Sequence, residues 1–181
     1  MFYCILQAVS YFGIFKNDKN KNMNATPEVK ITPAIDVAYI SYQGKMDLVS
    51  PIFDELIGWA APKGLMNQPD LKMITIYHDS AKTTDLDKIR MSICMTVNPQ
   101  NIEAQLIERV HHKTIPSIKC IVTRFEIGFH EFQKSWEDSF GWMFAQGHKK
   151  STENDPFEIY HNNPHEHPQG ISIVDICIPI Q

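Results

Sequence analysis

The sequence predicts an α+β fold of two tandem β-α-β-β modules, related by a pseudo-twofold axis with a ligand cleft between them. Landmark residues recur 83 positions apart: Pro33 and Pro116 (116 − 33 = 83), Trp59 and Trp142, Gly64 and Gly147, Tyr77-His78 and Tyr160-His161, Ile93-Cys94 and Ile176-Cys177. Within each copy the apolar residues switch between the two-residue period of a strand and the 3.6-residue period of a helix. The chain has 181 residues, enough for two small modules sharing a core. Two copies make a pair rather than a solenoid, which needs more repeats.

Residues 1–27 read as an N-terminal extension. Met1 to Phe15 is apolar and aromatic but lacks a charged leader and an Ala-x-Ala-like site. It is shorter than the roughly 20 residues of a membrane span. A polar stretch follows to Asn24, and Met23 is an alternative start. The two modules then cover 28–181, with module one at about 28–98 and module two at about 114–181. Module one opens with a strand over Thr32 to Tyr42, rich in β-branched and aromatic residues and ending at Gly44. Leu48, Ile52, Leu56 and Trp59 then repeat at helical spacing, with Asp47 as a cap and Gly64 as a stop signal. Met73 to Tyr77 and Met91 to Val97 are short strands joined by the polar loop Asp79 to Lys88. In module two a strand near Ser117 to Phe125 precedes a helix from about Phe129 to Gln146. Its stripe of Phe129, Phe132, Trp136, Phe140 and Met143 is expected to face the core. Strands follow at Pro156 to His161 and Ile171 to Ile180. Gly44 and Gly128 depart from the 83-residue offset by one position.

A net charge of −4 and a pI of about 6.0 argue against direct nucleic-acid binding, which needs clustered Lys and Arg to displace counterions. No stretch predicts a membrane span. The four cysteines form no CxxC pair, so they read as buried apolar residues of a chain kept reduced in the cytoplasm. The eight histidines include His161, His165 and His167, but they lie in a proline-containing loop without HExxH spacing, and His111-His112 are adjacent. No metal site is expected, and no cofactor motif is present. GxSxG and Walker patterns are missing, and neither Ser135 nor Ser139 has a His and Asp at recognisable spacing.

Strand alternation sorts side chains between two faces. Phe157 and Ile159 share one face, Glu158 and Tyr160 the other. In module one Ile74 and Ile76 match the first set, Thr75 and Tyr77 the second. If Phe157 and Ile159 face the helix, Glu158 and Tyr160 look into the groove between modules, with Thr75 and Tyr77 opposite. The two copies disagree here, because Thr75 stands where the second copy has Glu158. A carboxylate beside aromatic rings suits a cationic or hydrogen-bond-donating aromatic ligand, by stacking and cation–π attraction.

These residues resemble a family. Val37-Ala-Tyr-Ile-Ser-Tyr-Gln-Gly44, Trp59, Gly64, Ile76-Tyr-His-Asp79 and Lys88-Ile-Arg-Met-Ser-Ile-Cys94 look like the first half of the GyrI-like small-molecule-binding domain. That domain also serves as the effector-binding domain of AraC- and MerR-type regulators. Phe157-Glu-Ile-Tyr160 and Asp175-Ile-Cys-Ile-Pro-Ile180 are similar to its second half. The resemblance implies two SHS2-type modules around a cleft and multidrug recognition of bulky, often cationic or aromatic compounds. It places the family's cleft glutamate at Glu158, with Tyr160 in the same motif. The chain departs from the family at Ser92, where Asp is usual, and at Tyr42-Gln-Gly44 and Glu126-Ile-Gly128, where the family has His-x-Gly. The family's usual glycines after Pro116 are also missing.

The leading expectation is a standalone small-molecule sensor or sequestering protein. Glu158 is its anchor, and Tyr77, Tyr160, Trp59 and Trp142 are its aromatic walls. The alternatives are a hydrolase of strained electrophilic toxins that uses Glu158 as acid/base with Glu126 assisting, and a DNA gyrase inhibitor-like interaction protein.

Overall fold

The computed structural model describes residues 26–45, 48–102 and 107–181. Residues 1–25 of the expected extension, and Asp47 as the expected helix cap, lie outside the described residues. Among the described residues the elements run β1 (Glu28–Thr32), β2 (Ile35–Gln43), α1 (Ser50–Ala60), β3 (Met73–Tyr77), β4 (Arg90–Thr96), β5 (His111–Ile115), β6 (Ile118–Ile127), α2 (Phe132–Ala145), β7 (Phe157–Tyr160) and β8 (Ser172–Pro179), with short 3-10 turns between some of them. The fold is α+β, as expected. The strands form one sheet in the order β1-β6-β8-β7-β3-β4-β2-β5, and its neighbours are antiparallel. The edge strands β1 and β5 lie outside the expected β-α-β-β units.

Both helices cover one face of this sheet. α1 packs on β2 and β4, and α2 packs on β6 and β8. The central pair β3–β7 runs between them. α1 starts with Pro51 in its first turn, where a missing N–H costs nothing. It buries Phe53, Leu56, Trp59 and Ala60. Leu48, expected on this stripe, precedes the helix and is exposed. Gly64 (φ 71°) and Gly147 (φ 75°) turn the chain out of the two helical segments in the left-handed conformation, which a Cβ disfavours. After α2 the His148 N–H reaches the Met143 carbonyl at 3.1 Å, closing the last turn. At the other end the Gly128 N–H donates to Glu131 Oε2 at 2.9 Å.

α2 sits on the sheet through a narrower contact than its aromatic stripe suggests. Its buried residues are Ser135, Ser139 and Met143. The two serine hydroxyls donate to the carbonyls four residues back, at 2.9 and 2.8 Å, so the small side chains approach the sheet with their polar atoms satisfied. Phe132, Trp136 and Phe140 are half-buried along the flank, and Phe144 is 66% exposed. The expected core stripe is therefore rotated toward the gap between the helices.

The opposite face has its own apolar layer of Val37, Ile74, Ile76, Cys94, Cys120, Phe157 and Cys177. Phe157 and Ile159 belong to this layer, so the expectation that they face the helix is corrected. Both faces of the sheet are apolar, and alternation alone gives no sign of which one the helices cover.

Candidate functional site

The middle of the helix-covered face is built by β3 and β7. Their register puts Thr75 opposite Glu158 and Met73 opposite Tyr160. Glu158 and Tyr160 thus lie on the helix-covered face of the sheet, with Thr75 across from the carboxylate. α1 sends Phe53 to Tyr160, edge to face with ring centroids 6.4 Å apart. α2 sends Trp136 to Glu158.

Glu158 is 1% exposed. Its Oε1 accepts from Trp136 Nε1 at 2.6 Å. Its Oε2 accepts from the Tyr77 hydroxyl at 2.9 Å and from the Tyr160 hydroxyl. All three donors are neutral, and no basic residue among the described ones pairs with the carboxylate. Burial pushes the Glu158 carboxyl above its usual range, against the three hydrogen bonds that favour the ionised form. Burial and the Glu158 charge push both tyrosine hydroxyls well above their usual range, so they stay protonated and donate. A buried carboxylate without a counter-cation is an attractive position for a ligand cation.

Aromatic rings lead from this carboxylate outward. Tyr77 meets Trp136 edge to face with centroids 5.5 Å apart. Trp136 stacks on Phe140 at 5.9 Å, and Phe140 on Phe144 at 6.4 Å. The π-faces of this row fit a cation or a flat ring. On the same face, under α2, Thr123 is fully buried and its hydroxyl has no partner among the described residues. Thr123 pairs with Ile176, which pairs with Glu158, so the unused hydroxyl lies two strands from the carboxylate.

Of the expected site residues, Glu158, Tyr160 and Tyr77 come together. Trp59 is buried under α1 with Lys63 Nζ 5.1 Å from its ring centroid. Trp142 stacks on His148 with centroids 6.4 Å apart. Neither contributes a hydrogen bond to Glu158. Glu126, expected to assist the hydrolase alternative only if it points inward, is exposed on β6. Trp136, which sequence periodicity assigned to the core, is the tryptophan that bonds the carboxylate. The signal that finds it is the offset itself: Phe53 and Trp136 are 83 apart (136 − 53 = 83), and both reach the Glu158–Tyr160 pair.

The sequence profile of the GyrI-like small molecule binding domain matches residues 25–181. Among curated proteins, none matches the chain in sequence. Similar solved structures include the EcmrR C-terminal domain, at TM-score 0.68 and 16% identity, covering 88% of this chain and 99% of that one. A hydrolase from Listeria innocua is similar at TM-score 0.63 and 13% identity, covering 86% and 91%. A protein solved bound to tetraphenylphosphonium is similar at TM-score 0.55 and 12% identity, covering 86% and 94%. These likenesses establish the fold.

Proposed function

Since the chain belongs to the GyrI-like small-molecule-binding family, we propose that it binds bulky cationic aromatic compounds in the groove between its helices and senses or sequesters them in the cytoplasm. Glu158 is the anchor; Tyr77, Trp136 and Tyr160 are the polar and aromatic walls. The observation that carries this reading is the buried carboxylate held by three neutral donors and no cation. The aromatic row from Tyr77 to Phe144 supports it. The fold shared with a protein solved bound to tetraphenylphosphonium makes that ion the natural first probe. The 83-residue spacing of Gly64 and Gly147, both in the left-handed conformation, and of Phe53 and Trp136 supports a duplicated pair of modules with the groove at their junction. Trp59 and Trp142, one in each half, would then frame the helices rather than the carboxylate.

The test is titration calorimetry with tetraphenylphosphonium. Glu158→Gln keeps the shape of the side chain and removes the charge. Losing one partner of a buried charge pair costs about 2–5 kcal/mol, so binding weakens at least about 30-fold. Equal affinity of variant and wild type refutes the anchor role. A second reading is favoured by the raised proton affinity of Glu158, which suits a general acid in a hydrolase. Turnover of a strained electrophile that disappears in Glu158→Gln supports that reading, and binding without turnover opposes it.

A further inference from the structure

Only Pro116 and Ser117 separate β5, at one edge of the sheet, from β6, beside the other edge. The sheet therefore curls until its edges approach. Ile115 and Ile118 from those ends line one cavity of about 150 Å³ together with Ile76 and Phe157 from the centre. Ile76 and Phe157 belong to the apolar layer away from the helices, so that face is the inside of the curl. Glu158 lies on the other face and plays no part here. His78, Lys113, Glu153 and Asp155 also line the cavity.

Two opposite charges at this cavity are held apart. Lys113 Nζ donates to Ser92 Oγ at 3.2 Å and lies 4.4 Å from the centroid of the Tyr39 ring. Among the described residues it pairs with no carboxylate. Asp155 Oδ2 is 2.7 Å from His78 Nδ1, and Asp155 Oδ1 has no hydrogen bond among the described residues. His78 Nε2 is 2.8 Å from Ser92 Oγ. The carboxylate only accepts, so Nδ1–H donates to it, Nε2 accepts from the Ser92 hydroxyl, and Oγ accepts from Lys113. One hydroxyl and one neutral ring thus stand between the ammonium and the carboxylate, and neither cancels a charge. Arg90, beside His78 across the strands, is already clamped by Asp79 at 2.8 and 2.7 Å. The second half of the chain differs. Ser92 is matched there by Asp175 (175 − 92 = 83) and His78 by His161 (161 − 78 = 83). Arg124 grips Asp175 with two nitrogens, at 2.7 and 2.8 Å, and His161 meets the same carboxylate at 2.8 Å. Cation and acid satisfy one another in the second half, whereas in the first half both are left facing the cavity.

We infer that this cavity binds a zwitterionic α-amino acid with a branched aliphatic side chain, such as leucine. The ligand carboxylate meets Lys113 Nζ. Its ammonium meets Asp155 Oδ1, with the exposed Glu153 at the rim. Its side chain enters between Ile76, Ile115, Ile118 and Phe157. An apolar cavity of about this volume takes a benzene-sized molecule, and an isobutyl group is smaller. A ligand with a single charge leaves one of the two protein charges without a partner, which selects the zwitterion over the simple acid or amine. Ser92 and His78 set the spacing between the two ends.

The test is titration calorimetry of the full-length chain with L-leucine, isocaproate, isoamylamine and glycine. Leucine binds. Isocaproate and isoamylamine each lack one charge-assisted contact and bind at least about 10-fold more weakly. Glycine lacks the apolar side chain and is weaker by at least about 10-fold as well. Equal affinity for the acid or the amine overturns the zwitterion, and equal affinity for glycine overturns the apolar wall. Lys113→Met and Asp155→Asn each weaken leucine binding by at least about 10-fold, and wild-type affinity in either variant overturns its contact. Methyl NMR spectra of the wild type locate the ligand even if a substitution does not fold. Leucine shifts the resonances of Ile76, Ile115 and Ile118 and leaves the Trp136 indole N–H in place. Shifts centred on Trp136, or a folded chain that gives neither heat nor shifts with millimolar leucine, overturn the site.

Discussion

Replacing Glu158 by Gln removes one titrating proton from the centre of the groove and keeps the outline of the side chain. In the native state the carboxylate has three hydrogen bonds to it, each worth about 1.5–3 kcal/mol with a charged acceptor. Against them stands a desolvation cost of several kcal/mol for a buried ion. The carboxyl is held above its usual range, with burial as the largest cause, so the hydrogen bonds do not fully offset the loss of water. The unfolded side chain titrates near about 4.3. Above that pH, and below the folded value, the native state keeps a proton that the unfolded state has released. The contribution of Glu158 to stability is complete below the unfolded value and is lost as pH rises through the folded one. The slope in that window is about 1.4 kcal/mol per pH unit, the free energy of one proton per decade. Urea unfolding of wild type and Glu158→Gln between about pH 4 and pH 8 measures it. The stability of the wild type minus that of the variant should fall across the window and then level off. Taking the difference cancels other titrating groups. A flat difference, or one that grows with pH, refutes the reasoning.

Cysteine chemistry and acid stability give further checks. Burial pushes the Cys94 thiol up to about 12 and the Cys120 thiol up to about 11, and it raises Cys177 as well. All three side chains are buried. Iodoacetamide near pH 8 should leave these three unmodified in the folded chain and alkylate them in urea, as read by peptide mass mapping. Alkylation without denaturant means the sheet face opposite the helices opens. Burial pushes the Asp175 carboxyl up, but hydrogen bonds and charge from His161 and Arg124 outweigh it and hold the group below its usual range. Its contribution to stability is present above the unfolded value of about 3.9 and is lost as pH falls toward the folded one. Acid titration followed by circular dichroism should therefore cost the wild type more stability than Asp175→Asn below about pH 4, and equal slopes refute this.

The order of strands and helices was legible because landmark residues fixed it. Met73–Tyr77 is the same strand in sequence and structure, and Gly64 and Gly147 both adopt the left-handed turn that a stop signal implies. Thr75 and Glu158, matched in the sequence by their 83-residue offset, are cross-strand partners in the structure, a pairing of β3 with β7 that the offset by itself does not give. The edge strands were not legible. β1 is EVKIT with four of its five residues exposed, so no buried face marks it. β5 starts 83 residues after β1 (111 − 28 = 83), yet only one of the five aligned positions is identical, Lys30 with Lys113. The sidedness of β7 was equally hidden, because Phe157 is needed in one apolar layer and Tyr160 in the other. Trp136 was visible as part of a periodic row. What periodicity lacks is the angle at which a helix sits on its sheet, which the small residues Ser135 and Ser139 set.

The way the edge strands pair has a kinetic consequence. β1 does not join β2, its neighbour in the chain, but β6, with Glu28 opposite Val122, 94 residues away (122 − 28 = 94). β5 returns to β2, with Ile35 opposite Ile115. The seam that carries Glu158 spans 83 residues from Thr75 (158 − 75 = 83). Each of these closures orders a long loop before any contact rewards it, which places the chain among slow, high-contact-order folders. A ribosome that has released only the first hundred or so residues exposes β4 with its partners β2 and β3, while β1 and the outer edges of β2 and β3 still lack β6, β5 and β7. The carboxylate and its ring of donors are therefore among the last features to form during synthesis, and a chain that stops short of β7 carries neither the groove nor the strand that closes the centre of the sheet.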